Sequence, residues 1–215
     1  MLDDDVRRRR AFGGYSKTMN ILLSLFVLLV SIKPEVGRLT IYQNGKAIGT
    51  EEFKITPKPG GYFVEGQTIL TMPQKVALKS KMELNEALIP TSYEFESGGS
   101  SIKMKVESPV SELEYSVNGQ KEGSDVRFPK DGAIIDSNFF HHYALLLYRI
   151  SGVKGSTTLS AFVPQQLELG PITVKSLGDN TFEFDTGNVK VKARTDNEGR
   201  LIRLEVPDAK VVVER

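Results

Sequence analysis

The chain contains no cysteine and no tryptophan. Without thiols there is no disulfide framework, no thiolate zinc or iron–sulfur site and no cysteine nucleophile. Only two histidines occur, adjacent at His141 and His142, so a multi-histidine metal site is excluded. Charge of one sign is also lacking: 28 Lys and Arg face 27 Asp and Glu, whereas a general nucleic-acid binder carries a basic surplus. No G-x-S-x-G, S-x-x-K, HExxH or glycine-rich phosphate-binding run is present. These absences lead to the expectation of a non-enzyme with no metal, no cofactor and no nucleic-acid partner. Hydrophobic residues still make up 40% of 215 positions, enough for a single globular core.

One long apolar run exists, Ile21–Ile32, preceded by Arg7, Arg8, Arg9 and Arg10. A membrane-spanning helix needs about 20 apolar residues and a signal-peptide core about 7–15, so 12 residues read as an export signal. Residues 1–37 are therefore expected to be an export segment, starting at Met1 or Met19. Uncleaved, 21–32 would be a short membrane anchor. No cysteine follows the run, which excludes a lipoprotein anchor. Setting aside the six basic and four acidic residues of 1–37 leaves 22 and 23 in residues 38–215. That near-neutral remainder is expected in the periplasm or outside the cell.

From Arg38 onward the pattern is period-2 alternation broken by turn residues, the signature of antiparallel sheet. Strands are expected at Arg38–Gln43, Lys46–Ile55, Tyr62–Leu70, Gln74–Leu84, Thr91–Glu96, Ile102–Glu107, Leu113–Val117 and Gln120–Phe128. More follow at Thr157–Val163, Gln166–Leu169, Ile172–Leu177, Thr181–Asp185, Val189–Thr195, Leu201–Val206 and Lys210–Glu214. Asn44-Gly45 and Asn118-Gly119 suit tight hairpins. The segments Leu39–Glu51 and Leu113–Asp125 align without gaps, which reads either as a duplicated hairpin or as two hairpins sharing a turn type. The first reading would divide the sheet into halves meeting near 108–112. Lysine pairs at Lys79/Lys81, Lys103/Lys105 and Lys190/Lys192 read either as a weakly basic face or as edge protection.

One segment departs from this pattern. Asp136-Ser137-Asn138 offers N-cap chemistry before FFHHYALLLYRI, predicting a helix over 138–151 that ends at Gly152. Phe139, Tyr143, Leu146, Leu147 and Ile150 form one stripe, with Phe140, Ala144 and Tyr148 beside it. A helix apolar over most of its circumference must be covered on most sides. The expected fold is thus mainly β: a large curved antiparallel sheet or half-barrel wrapping one central helix, in a single domain over 38–215. The polar candidates are Asp136, His141, His142 and Gln165. Adjacent helical residues point about 100° apart, so the two histidines do not converge on one metal. One ring is expected against the sheet, bonded to backbone, and the other near solvent. Pro164 marks an edge or corner, placing Gln165 and Gln166 to bond a ligand or cap the core.

The opening RLTIYQNGKAIGTEEFKI, the DSNFFHHYALLLYRI helix and the following SAFVPQQ together resemble uncharacterised exported β-sheet proteins of bacteria, a domain of unknown function. More distantly, a many-stranded sheet with an internal helix is similar to the outer-membrane lipoprotein carriers and related periplasmic lipid-binding folds. That likeness carries no ligand residue across, and the lipid-anchoring cysteine of several relatives is missing. The apolar helix under a concave sheet itself leads to the expectation of a hydrophobic ligand between sheet and helix, on the stripe Phe139, Tyr143, Leu146, Leu147 and Ile150. Three functions follow in order: an exported module binding a lipid or other hydrophobic molecule, a packed interaction domain without ligand, and a hydrolase or metal enzyme using His141 or His142 with Asp136. No protein partner is readable.

Overall fold

The computed structural model describes residues 32–153 and 155–215. Met1, Met19 and the apolar run up to Ser31 lie outside the described residues. The strands run β1 (Glu35–Gln43), β2 (Lys46–Lys58), β3 (Gly61–Leu70), β4 (Val76–Asn85), β5 (Pro90–Ser97), β6 (Ser100–Lys105), β7 (Val110–Val117) and β8 (Gln120–Arg127). Then come β9 (Ala133–Ile134), the helix α1 (His141–Arg149), β10 (Ser156–Val163), β11 (Glu168–Gly178), β12 (Thr181–Asp185), β13 (Lys190–Thr195), β14 (Leu201–Val206) and β15 (Val211–Glu214).

All 15 strands belong to one sheet, ordered β8 to β1 and then β15 to β9. Each neighbour is antiparallel except β9 with β10, whose parallel pairing leaves room for α1 in the crossover. β1 pairs with β2 on one side and β15 on the other, so first and last strands meet mid-sheet. The sheet's two edges, β8 and β9, are consecutive in the chain, giving an open, curved sheet that wraps the single helix among the described residues. β6 pairs with β7 across 108–112, so the sheet is unbroken there and opens instead at 128–132.

Alternation sends one row of each strand to a common buried face. Leu39, Ile41, Phe53, Ile55, Val64, Met82, Tyr93, Phe95, Met104, Ile172, Phe184 and Leu204 lie there, all under a tenth exposed. The helix fills the hollow: no residue from His141 to Ile150 is exposed. The opposite face is a charge lattice. Register places Lys54, Glu65, Lys81, Glu94, Lys103 and Glu114 in one row across β2 to β7, with signs strictly alternating. Lys175, Glu183, Lys192 and Glu205 repeat this across β11 to β14. Opposite charges directly across strands contribute about 0.2–1 kcal/mol each. Every lysine of the three same-face pairs thus has an acidic cross-strand neighbour, and no basic face forms.

Several boundaries differ from the sequence reading. Gln166–Leu169 is not a separate strand: Pro164–Gln166 is one 3₁₀ turn, Leu167 is left-handed at φ 54°, and β11 runs on from Glu168. These four residues are the tip of the β10–β11 hairpin. The helix begins at His141 rather than 138, because Asn138 adopts φ 65° and breaks the helical path. The turns Asn44-Gly45 and Asn118-Gly119 share their left-handed geometry, yet the aligned acids diverge: Glu51 is fully buried and Asp125 exposed.

Candidate functional site

The first turn of α1 has no capping side chain of its own; its N-cap is Phe140, and Asp136-Ser137-Asn138 do not cap it. The cap comes from the sheet. Glu51 on β2 accepts the backbone N–H of Phe140 at 2.7 Å and of His141 at 3.1 Å, and its other contact is with His141 Nδ1. A carboxylate there meets both the orphan donors and the positive end of the helix dipole. Sequence reasoning did not identify Glu51. Its phase with Phe53 and Ile55 was the available signal, since that parity puts a carboxylate on the buried face.

Both histidines are 1% exposed, so the expectation of one ring near solvent is corrected. Burial follows from the aromatic cage around them. His141 stacks on Phe53 at 5.5 Å, His142 stacks on Phe139 at 5.5 Å, and the imidazoles meet edge to face at 4.5 Å. Gly66 makes room: a Cβ there would lie 2.4 Å from His141 Cε1. His142 Nδ1 accepts the backbone N–H of Asp136 at 3.0 Å, so the ring's proton sits on Nε2. Burial, helped by neighbouring His141, holds His142 well below the ordinary histidine value and hence neutral. His142 Nε2 and Ser80 Oγ are buried without a hydrogen-bond partner among the described residues.

Asp136 organises the mouth of the sheet beside this cage. One oxygen accepts from Tyr93 Oη; the other accepts from the backbone N–H of Ser137 at 2.9 Å and Gln165 at 3.2 Å. Burial pushes its carboxyl above the usual range, partly opposed by those donors. Gln165 Nε2 donates to Ser137 O at 3.1 Å, and Gln166 Nε2 to Ser137 Oγ at 3.4 Å, which ties the hairpin tip down. Gln165 is therefore a structural strut between Asp136 and the tip. Asp136 and His142 do meet, but through the backbone amide, and His141 is held by a different acid. Among the described residues no three His, Asp or Glu side chains are grouped to hold a metal.

The far end of α1 is anchored independently. Tyr148 Oη donates to Glu35 Oε2 at 2.5 Å, and Arg215 Nη2 donates to Glu35 Oε1 at 2.8 Å. Arg149 donates to the carbonyls of Gly132 and Asp131 at 3.0 and 2.6 Å, tying the helix to the loop between the two sheet edges. Among the described residues no helix is long and apolar enough to cross a membrane.

The helical stripe divides between packing and open space. Leu146 and Ile150 are packed in the core, and Leu147 borders a cleft of about 650 Å³ at the C-terminal end of α1. Phe139 and Tyr143 border a cleft of about 520 Å³ at the N-terminal end. Its walls are Ile135, Phe140, Ala161, Val163 and Val206, with Asp136, Asn138, Gln166 and Asn188 as polar members. Tyr143 packs edge-on against Phe184 at 5.1 Å, and burial pushes its hydroxyl up to about 12. At the rim Leu169 and Val189 remain 43% and 41% exposed. Across the hairpin tip lies another cleft of about 370 Å³, between Pro164, Gln165 and Leu167 on one side and Phe95, Ile102 and Tyr115 on the other.

No family model matches this sequence, and no curated protein matches it. Among solved structures the chain is similar to a β-barrel-like protein of a domain of unknown function, DUF1849, from Brucella abortus. The two share 9% identity over 84% of this chain and 94% of the other, with a TM-score of 0.51. At that identity the likeness describes the fold: a mostly β, barrel-like sheet in a bacterial protein without assigned activity.

Proposed function

We propose that the protein is an exported, non-enzymatic β-sheet module that holds one hydrophobic or lipid-like molecule in the cleft beside the first turn of α1. The cleft itself carries the reading. Its volume of about 520 Å³ falls within the roughly 300–1,000 Å³ of small-molecule sites, and it combines apolar walls with a few convergent polar groups. Exposed Leu169 and Val189 extend the apolar surface to the mouth, where a ligand would cover them. The site is thus the Phe139–Tyr143 end of the helical stripe rather than its whole length. Export rests on the basic run and the 12-residue apolar run that precede the domain.

The alternative, a packed interaction domain without ligand, is favoured by the rings of Phe53, Phe95, Phe128, Phe162 and Phe184, which fill the interior. A hydrolase using His141 or His142 is disfavoured, because both rings are shut inside the cage. Native mass spectrometry after gentle purification separates the first two readings. A co-purifying apolar molecule, or uptake of an added one at unit stoichiometry, supports the carrier. Repeated absence of both supports the packed domain and removes the proposal.

A further inference from the structure

We infer, resting on the proposed cleft, that its ligand is a single-chain amphiphile with an uncharged, hydroxyl- or amide-bearing head, and that anionic lipids are excluded. The charges at this end of the sheet set that preference. Of the described residues bordering the cleft beside α1, the charged ones are Asp136 and Glu168, and neither Lys, Arg nor His is among them. Among the described residues, no charged one borders the cleft across the hairpin tip; its polar members are serines, Tyr115 and Gln165. A carboxylate or phosphate entering either space would lose hydration and find no cation among the described residues, and beside α1 it would also face two acids.

An ammonium head is no better served. The Asp136 carboxylate is already engaged by Tyr93, Ser137 and Gln165, and buried 3% exposed, so it is not a free counter-ion. Glu168 is exposed at the rim, where water screens it. What the cleft offers a head group is neutral hydrogen bonding. Asn138, Gln166 and Asn188 provide amides able to donate and accept, matching hydroxyls or amides in the ligand. Phe139, Tyr143 and Val206 then receive the chain.

The test holds the tail constant and varies the head: monolauroylglycerol, laurate and dodecylammonium, each titrated against the folded domain at neutral pH by calorimetry below its critical micelle concentration. Monolauroylglycerol is expected to bind at least ~10-fold tighter than laurate, because an unpaired buried anion costs that much or more. The variant Glu168→Lys supplies the missing cation at an exposed position. It is expected to narrow the preference for the glyceride over laurate by about 2–5-fold, through stronger laurate binding. Tightest binding by laurate or by dodecylammonium overturns the inference while leaving the cleft reading intact. Failure of all three to bind a domain that is folded by circular dichroism overturns the cleft reading itself.

Discussion

Replacing Glu51 by Ala tests how the helix is held inside the sheet. The substitution removes the acceptor of the Phe140 and His141 amides and the partner of His141 Nδ1, all at a fully buried site. Each abandoned buried donor costs about 1–3 kcal/mol, and the helix terminus loses a further ~0.3–1 kcal/mol of charge–dipole attraction. Relaxation of the first turn recovers part, so the expected loss from three abandoned buried groups is about 3–5 kcal/mol. For a domain of this size that lowers the melting temperature by roughly 6–20 °C. Urea and thermal unfolding followed by circular dichroism read the change. Asp125→Ala, at the aligned position of the other Asn-Gly hairpin, is the control and is expected within ~0.5 kcal/mol of the parent. A Glu51→Ala protein within ~1 kcal/mol of the parent would refute the trans-capping argument.

Gly66→Ala places a methyl 2.4 Å from the His141 ring, and overpacking of this kind is expected to cost about 1–3 kcal/mol; an unchanged urea midpoint would contradict the close approach. His142 has a folded value depressed below 6.5, so its contribution is fully present above pH 6.5 and is lost as pH falls toward the depressed value. His142→Gln should flatten the stability–pH profile below 6.5 by up to ~1.4 kcal/mol per pH unit, and an unaltered slope would show that the buried ring does not titrate on unfolding. Asp136 acts in the opposite sense: its raised carboxyl favours the folded state below 3.8 and loses that contribution as pH rises through the elevated value. Arg215→Ala strips Glu35 of its cation and is expected to cost about 2–4 kcal/mol in the same unfolding assay, whereas a neutral result would make Tyr148 sufficient alone.

The sheet was legible because alternation is a local property, and the helix because a run apolar on every side has to be enclosed. The pairing of β1 with β15 was not legible, since a contact between residues 40 and 214 leaves no trace in either strand alone. Asn138 misled the helix start: as a cap residue it reads as N-terminal, but its left-handed φ makes it a corner instead. Glu51 did not stand out in the sequence because an exposed acid, Glu52, lies beside it; only its parity with Phe53 and Ile55 set it apart. The lysine pairs left a basic face and edge protection equally open because the acids opposite them sit on other strands, supplied by register rather than by sequence neighbours. Asp136, His141 and His142 were recognised as unusual, but which acid meets which ring depends on the fold.

The cleft beside α1 can be filled without disturbing what surrounds it. Gly170 on β11 borders it, shares the inward phase of Ile172 and Val174, and a Cβ built there meets nothing within 4 Å. Gly170→Phe should therefore occupy the cleft while keeping the parent unfolding midpoint within ~1 kcal/mol. Titrating the parent and this variant with monolauroylglycerol is the direct measurement. Saturable one-to-one binding to the parent and at least ~10-fold weaker binding to the variant are expected. Equal binding to both, or none to either, would contradict the cleft reading.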